Sequence, residues 1–74
     1  MIKIEDLIPF MKDGWVAMDS RGNWWWFEQK PVKGKMYKLW HHRSASYLDL
    51  RLSVAFNIAP ADDWSKSLIK VCEK

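Results

Sequence analysis

The sequence predicts an α+β domain: a short N-terminal helix packed on an antiparallel β-meander of three to five strands, with a short helical turn near the C-terminus. Three observations lead to this prediction. Apolar residues recur at helical spacing near the N-terminus, a strand–turn–strand pattern occupies Gly14 to Trp40, and strict alternation runs from Tyr47 to Ile58. The 74 residues are enough for one domain, 1–74, with one small core.

The N-terminal segment Ile4–Lys12 carries the helical spacing i, i+3, i+4, i+7. Pro9 is tolerated only near a helix start, so the helix is expected to begin at about Glu5 or Asp6 and to stay short. Gly14 is expected to end it as a left-handed residue after the last turn. The apolar face consists of Ile4, Leu7, Ile8 and Met11.

A β-hairpin is predicted from Trp15–Met18 and Trp24–Gln29. The turn between them, Asp19–Asn23, is rich in turn-forming residues, and Gly22 can adopt the positive φ of a type I turn with a G1 bulge. The second strand is apolar on both faces. It is therefore either a central strand covered on both sides or a strand with one exposed aromatic face.

The remaining elements follow from breaks and alternation. Lys30-Pro31 ends the second strand, because proline cannot donate a ladder hydrogen bond, and a loop is expected over Val32–Lys35. Alternation predicts a third strand at Lys35–His41 and a longer, half-buried strand at Tyr47–Ile58. The apolar face of that longer strand is expected to hold Leu48, Leu50, Leu52, Val54 and Phe56.

The C-terminal segment is less clearly patterned. Pro60 precedes a short helical turn expected at about Ala61–Ser65. Ser67–Val71 fits either a helix or a closing strand, and we interpret it as an extended segment that follows the turn.

The composition argues against several classes of function. The single cysteine, Cys72, excludes an internal disulfide and lacks a sequence-near base. Adjacent residues of a strand point to opposite faces, so His41 and His42 are not expected to share a metal ion. Asp62-Asp63 is interpreted as a helix cap and a first-turn acid. We therefore expect no enzyme activity, no cofactor, no metal and no small-molecule substrate.

The expected location is the cytoplasm, without membrane attachment. The lone cysteine fits a reducing compartment, no export signal is recognisable, and the apolar stretches are too short to span a bilayer.

Several motifs together resemble a group of small phage and prophage proteins of unknown function. They are the N-terminal Ile4–Phe10 segment, Gly14–Asp19, an aromatic run that closes in Lys30-Pro31, the downstream Trp40, and the terminal Asp63–Ile69 segment. The resemblance covers most of the chain. It implies a bacterial host cytosol and a non-enzymatic accessory role, and it implies no site residues.

The tryptophan-rich meander is also similar to the WW domain. Gly14-Trp15, Gly22, the run Trp24–Trp26 and the later Trp40 carry this similarity. Trp40 lies too far along the chain, no proline follows it, and the histidine and threonine of the WW ligand groove have no counterpart. We interpret this likeness as convergent.

The sequence is compatible with two interaction functions. The first is a protein partner or self-association through a tryptophan-rich sheet face, since tryptophan is enriched at interface hot spots. The second is nucleic-acid binding through the basic and aromatic segment 30–43, where lysines would contact phosphates and aromatic rings would stack on bases. The protein-binding residues are expected to be Trp24, Trp25, Trp26 and Trp40. The nucleic-acid-binding residues would be Lys30, Lys33, Lys35, Lys38 and Arg43.

Overall fold

The computed structural model describes residues 1–34, 38–41 and 49–72, and it confirms the predicted α+β class. Helix α1 comprises Ile4–Leu7 and continues as a 3-10 turn at Ile8–Phe10. The strands are β1 (Gly14–Met18), β2 (Trp24–Phe27), β3 (Val32–Lys33), β4 (Trp40–His41), β5 (Asp49–Arg51) and β6 (Ile69–Val71). Two further 3-10 turns are formed by Leu52–Val54 and Trp64–Lys66.

The main sheet has four antiparallel strands in the order β5-β2-β1-β6. The strand number lies within the predicted range, but the order is not that of a simple meander. The last strand returns to pair with the first, and β3 pairs with β4 in a separate two-stranded sheet. Strands β1 and β2 are therefore central, while β5 and β6 are the edges of the described sheet.

The N-terminal helix is short, as predicted, because Pro9 falls in the 3-10 turn that follows the single α-helical turn. Ile4 is buried, and the apolar residues of the same face pack against the core. The expectation for Gly14 is wrong. This glycine opens β1, where a Cβ atom would lie 2.5 Å from the Phe27 carbonyl oxygen and 2.8 Å from Trp26 Nε1.

The predicted hairpin is confirmed, with β1 and β2 joined by the turn Asp19–Asn23. Gly22 has φ +87°, the conformation that favours glycine. The Asp19 carboxylate accepts hydrogen bonds from the backbone N–H groups of Arg21 (2.9 Å) and Asn23 (3.1 Å). The turn thus follows from local chemistry, an aspartate that accepts from two following residues.

The open question about the second strand is answered by its central position. On the face covered by α1, Trp24 and Trp26 are only 2% and 8% exposed, and they pack with residues from both ends of the chain. On the other face, Phe27 and its neighbour Ala17 are also buried, and Trp25 is partly buried. Strand β2 is therefore covered on both sides except at Trp25, which stays partly exposed.

Two predictions for the region after β2 are corrected. Val32–Lys33 is strand β3 rather than a loop, because it pairs with Trp40–His41. The predicted third strand, Lys35–His41, is confined to β4 within the described residues. Lys38 has φ +52°, which is incompatible with an extended strand. Residues 35–37 lie outside the described part of the chain.

The prediction of a long strand at Tyr47–Ile58 is wrong. Strand β5 ends at Arg51, and a 3-10 turn follows at once. At this point the Ser53 hydroxyl accepts the Trp24 N–H (2.9 Å), so a side chain takes the place of a ladder partner. The expected apolar face is largely in solvent: Leu50 is 51% exposed and Val54 74%. Residues 42–48, including Tyr47 and Leu48, lie outside the described residues.

The predicted helical turn near the C-terminus is confirmed at Trp64–Lys66, slightly later than expected. Asp63 caps it by accepting the Ser65 N–H (3.0 Å). Ser67 is buried and joins this turn to β1: its hydroxyl accepts from Met18 N–H (2.8 Å) and lies within hydrogen-bond distance of the Trp64 carbonyl (2.6 Å). The segment after Ser67 forms β6, so the helix-or-strand question is answered in favour of the strand.

Candidate interaction surfaces

The two most buried of the four proposed docking tryptophans lie in the core. The Trp24 indole N–H donates to the Ala59 carbonyl (3.0 Å), and the Trp26 indole N–H donates to the Lys12 carbonyl (3.2 Å). Each ring is thus held at both its apolar body and its polar edge, which is how buried indoles are usually satisfied. Their first role is to fill the space between the sheet and the N-terminal segment.

The other two tryptophans are partly buried and lie elsewhere. Trp25 faces the side of the sheet opposite to α1, and its indole N–H donates to Asp19 Oδ2 (3.2 Å). Trp40, in β4, donates to the Trp64 carbonyl (3.2 Å) and makes an edge contact with the Trp64 ring, at 6.3 Å between centroids. The four residues are therefore not gathered on one surface.

An apolar groove lies beside β5, on the same face as α1. It has a volume of about 350 Å³, Trp26 is part of its lining, and Leu50 lies directly opposite Trp26 in the ladder. We call it the Leu50 groove; its lining residues are Met11, Lys12, Trp26, Glu28, Leu50 and Leu52. Sequence reasoning missed it, because the alternation at Tyr47–Ile58 predicted that Leu50 and Leu52 would be covered by the rest of the domain.

The described part of the basic segment is solvent-exposed. Lys30, Lys33 and Lys38 are all exposed, whereas Lys35 and Arg43 lie outside the described residues. The Lys30 ammonium lies 5.5 Å from the centre of the Trp15 ring, and that of Lys70 lies 5.8 Å from it. Both distances are within the range of a cation–π interaction.

Trp15 and Lys70 belong to this basic and aromatic surface but were not among the predicted residues. The hairpin itself contained the signal for Trp15: pairing Met18 with Trp24 puts Trp15 and Trp25 on one face. Lys70 had no such signal, because it reaches Trp15 only through the pairing of β6 with β1.

A catalytic or metal site would require titratable side chains gathered in one place. Within the described ranges, no group of three or more His, Cys, Asp or Glu side chains is placed to hold a metal ion. His41 and Cys72 are exposed, and His42 lies outside the described residues. The Ser65 hydroxyl and backbone N–H both donate to Asp63 and lower the pKa of this exposed carboxyl. The arrangement is that of a turn cap.

Comparison of the chain with protein-family models, with curated proteins and with solved structures finds no match. Among the described residues, no helix has the length and apolar character that crossing a membrane requires.

Proposed function

We propose that this chain is a non-catalytic accessory protein, of the phage or prophage kind that its motifs resemble, and that it acts through protein–protein contacts. The proposal includes the cytosol of a bacterial host as its location, where a single reduced cysteine is stable. The partner is another protein that presents apolar side chains; association with a second copy of the chain is the simplest case.

The exposure of Leu50 carries this proposal. Leu50 is 51% exposed although it pairs with the buried Trp26, so the apolar face that β2 begins continues into solvent at β5. Val54, in the following 3-10 turn, is 74% exposed. Exposed apolar residues beside a strand at the edge of the described sheet are typical of sites that another protein covers.

The chemistry of the Leu50 groove favours a partner segment with an apolar centre and a polar margin. Trp26, Leu50, Leu52 and Met11 provide an apolar lining, while Lys12 and Glu28 contribute one charge of each sign. An apolar core with a polar rim is the usual anatomy of a protein interface. In this proposal Trp26 contributes to docking as part of the lining of the groove, and Trp25 and Trp40 support other parts of the surface.

The experiment combines self-association with partner capture. Sedimentation of the purified protein from about 1 μM to about 1 mM tests self-association over the range of weak interfaces. Immobilised protein tests partners from a bacterial host lysate. Leu50→Lys is expected to abolish whichever interaction is found, because it removes the apolar contact area of Leu50 and a covering partner would have to strip water from the new ammonium group.

Phe10→Lys is the matched control. It makes the same apolar-to-lysine change at a residue that is 87% exposed and does not line the groove. The interaction should survive in this variant. The proposal is overturned if the two variants lose binding equally. It is also overturned if the wild type is monomeric at every concentration and every lysate protein that it retains is retained by Leu50→Lys as well.

A further inference from the structure

A small cleft lies on the sheet face opposite to α1, where the β1–β2 turn, the Lys38–Leu39 bend and the end of β5 meet. Its volume is about 330 Å³. The partly buried Trp25 contributes an indole to it, and three exposed cationic side chains, Arg21, Lys38 and Arg51, contribute to its lining. We call it the Trp25 cleft.

The electrostatics of the Trp25 cleft favour an anion. Among its described lining residues the one carboxylate, Asp19, is buried and accepts hydrogen bonds from the Arg21 N–H, the Asn23 N–H and the Trp25 indole. That carboxylate is therefore occupied within the turn, and the cations outnumber it. The Arg51 guanidinium donates to Asn23 Oδ1 (3.3 Å), which orients it at the cleft.

The backbone at Lys38 is held in an unusual conformation at this point. Its φ of +52° is in the left-handed region, which is unfavourable for a residue other than glycine. The Ser20 N–H donates to the Lys38 carbonyl (3.1 Å), and the Gly34 N–H donates to the Leu39 carbonyl (2.7 Å). Such strained residues concentrate at ligand-binding sites, and this one brings a cationic side chain to the cleft.

The basic and aromatic character continues beyond the cleft along the same sheet face. Trp15 pairs with Phe27 and Ala17 with Trp25, so Trp15 and Trp25 are diagonal neighbours, roughly 7–8 Å apart at Cα. The Lys30 and Lys70 ammonium groups lie beside the Trp15 ring. Two partly buried indoles with flanking cations thus lie on this side of the sheet, with the buried Ala17 and Phe27 between them.

We propose that this face binds single-stranded nucleic acid, with neighbouring backbone phosphates each contacted by one of Arg21, Lys38 and Arg51 and a base stacked against Trp25. Cationic side chains neutralise phosphates, while aromatic rings stack on unpaired bases with little sequence preference. An acidic protein segment satisfies the cations but makes no use of the indoles. A duplex keeps its bases paired and unavailable for stacking. The combination of indole and cations therefore favours the single strand.

The test uses fluorescence anisotropy with a labelled oligothymidylate of about 15 nucleotides, at salt concentrations from about 50 to about 200 mM. Neutralisation of three phosphates predicts a slope of log K against log salt of roughly −2, at about −0.7 per phosphate for single strands. The double variant Arg21→Gln, Lys38→Asn is expected to bind about tenfold more weakly and to reduce the slope by roughly 1.4. Asparagine is chosen because it tolerates the left-handed conformation.

The matched control is Lys3→Gln, Lys66→Gln, which removes the same charge on the side of the sheet that α1 covers. It is expected to change affinity by less than about twofold, because those lysines are far from the bound phosphates. Near-ultraviolet circular dichroism shows whether each variant is folded. In the wild type, the indole N–H resonances of Trp25 and Trp15 should shift on binding, whereas those of the buried Trp24 and Trp26 should not.

Three results overturn the proposal. The first is that the oligothymidylate does not bind at the lowest salt concentration, and the second is that the two double variants weaken its binding equally. The third is that a polyglutamate of the same charge binds as tightly as the oligothymidylate without shifting the Trp25 indole resonance. The last result would identify an acidic protein segment as the partner of this face. A salt-dependent affinity lost only in the Arg21 and Lys38 variant, together with the Trp25 shift, supports the proposal.

Discussion

Strands β2 and β5 are neighbours in one sheet, yet their apolar side chains are exposed to very different degrees. Trp24 and Trp26 are 2% and 8% exposed, whereas Leu50, directly opposite Trp26, is 51% exposed. The sequence of β2 carries no alternation and β5 lies in the most regular alternation of the chain. In these two strands burial follows the elements that cover each strand and not the clarity of its pattern.

The physical reason is the number of elements available to cover each strand. Strand β2 has β1 on one side and β5 on the other, with the N-terminal segment above it. Strand β5 has one described neighbour and ends after three residues in a 3-10 turn. A pattern of period two says which residues share a face, but it does not say whether anything packs on that face.

The largest effect is expected from truncating a side chain of the central strand. Trp24→Ala should lower the free energy of unfolding by about 3–5 kcal/mol, since a fully buried indole is lost and a cavity remains. Leu50→Ala, the edge-strand counterpart, should cost about 1 kcal/mol or less because half of its side chain is already in water. Urea unfolding followed by circular dichroism measures both. Similar losses in the two variants would contradict the distinction between centre and edge.

The parts of the fold that depend on neighbouring residues were predictable. The turn Asp19–Asn23 closes through its own side chain and a glycine, so the hairpin was predictable, although its exact register was not. The helix was predictable from apolar spacing and from Pro9. The pairing of β6 with β1 was not predictable, because it joins residues more than fifty positions apart and no local signal encodes it.

The candidate sites also combine residues that were predictable from the sequence with long-range contacts that were not. Trp25 and Lys38 were identified from residue type alone, as aromatic and basic groups on a sheet. Their convergence with Arg51 depends on β5 lying beside β2, a long-range contact. The Leu50 groove was missed for the opposite reason: alternation was taken as evidence of burial, although β5 lies at an edge of the described sheet.

A second, smaller loss of stability is expected from a substitution at Gly14, where β1 lies very close to β2. Gly14→Ala should cost about 1–3 kcal/mol, because its Cβ would lie 2.5 Å from the Phe27 carbonyl oxygen and force the central strands apart. Gly22→Ala is the control. It meets no atom within 4 Å, so its cost should be about 1–2 kcal/mol, from the positive φ alone.

The two glycine variants differ further in a spectroscopic readout. Gly14→Ala should perturb the indole N–H resonance of Trp26, which is 2.8 Å from the added atom, and Gly22→Ala should leave it in place. An unchanged Trp26 resonance in Gly14→Ala would show that β1 and β2 are less closely packed than this contact requires.

The third prediction concerns Ser53, which lies in the 3-10 turn after β5 and supports β2. Ser53→Ala should cost about 1–2 kcal/mol, because the Trp24 backbone N–H loses its acceptor in a partly buried position. Ser53→Thr keeps the hydroxyl and should retain most of the stability. Hydrogen exchange of the Trp24 amide should accelerate in the alanine variant. If this amide exchanges equally slowly in all three proteins, Ser53 does not support the central strand.

The smallest effect on stability is expected at the turn that leads into β6, the other edge strand of the described sheet. Unlike the turn after β5, it has a side-chain cap: Asp63 accepts from the Ser65 hydroxyl (2.7 Å) and N–H (3.0 Å), and both lower the pKa of Asp63 below its ordinary value of 3.8. Because the folded pKa is depressed, this stabilisation is present above the ordinary value and is lost as the pH falls through the folded pKa.

A carboxylate titration by NMR tests this difference between the two edge turns. The midpoint of Asp63 should lie below 3.8 in the wild type and should rise toward it in Ser65→Ala, which removes the hydroxyl, the larger of the two causes. A midpoint of Asp63 that is unchanged by Ser65→Ala would mean that the cap does not form in solution, and both edge turns would then lack a side-chain cap.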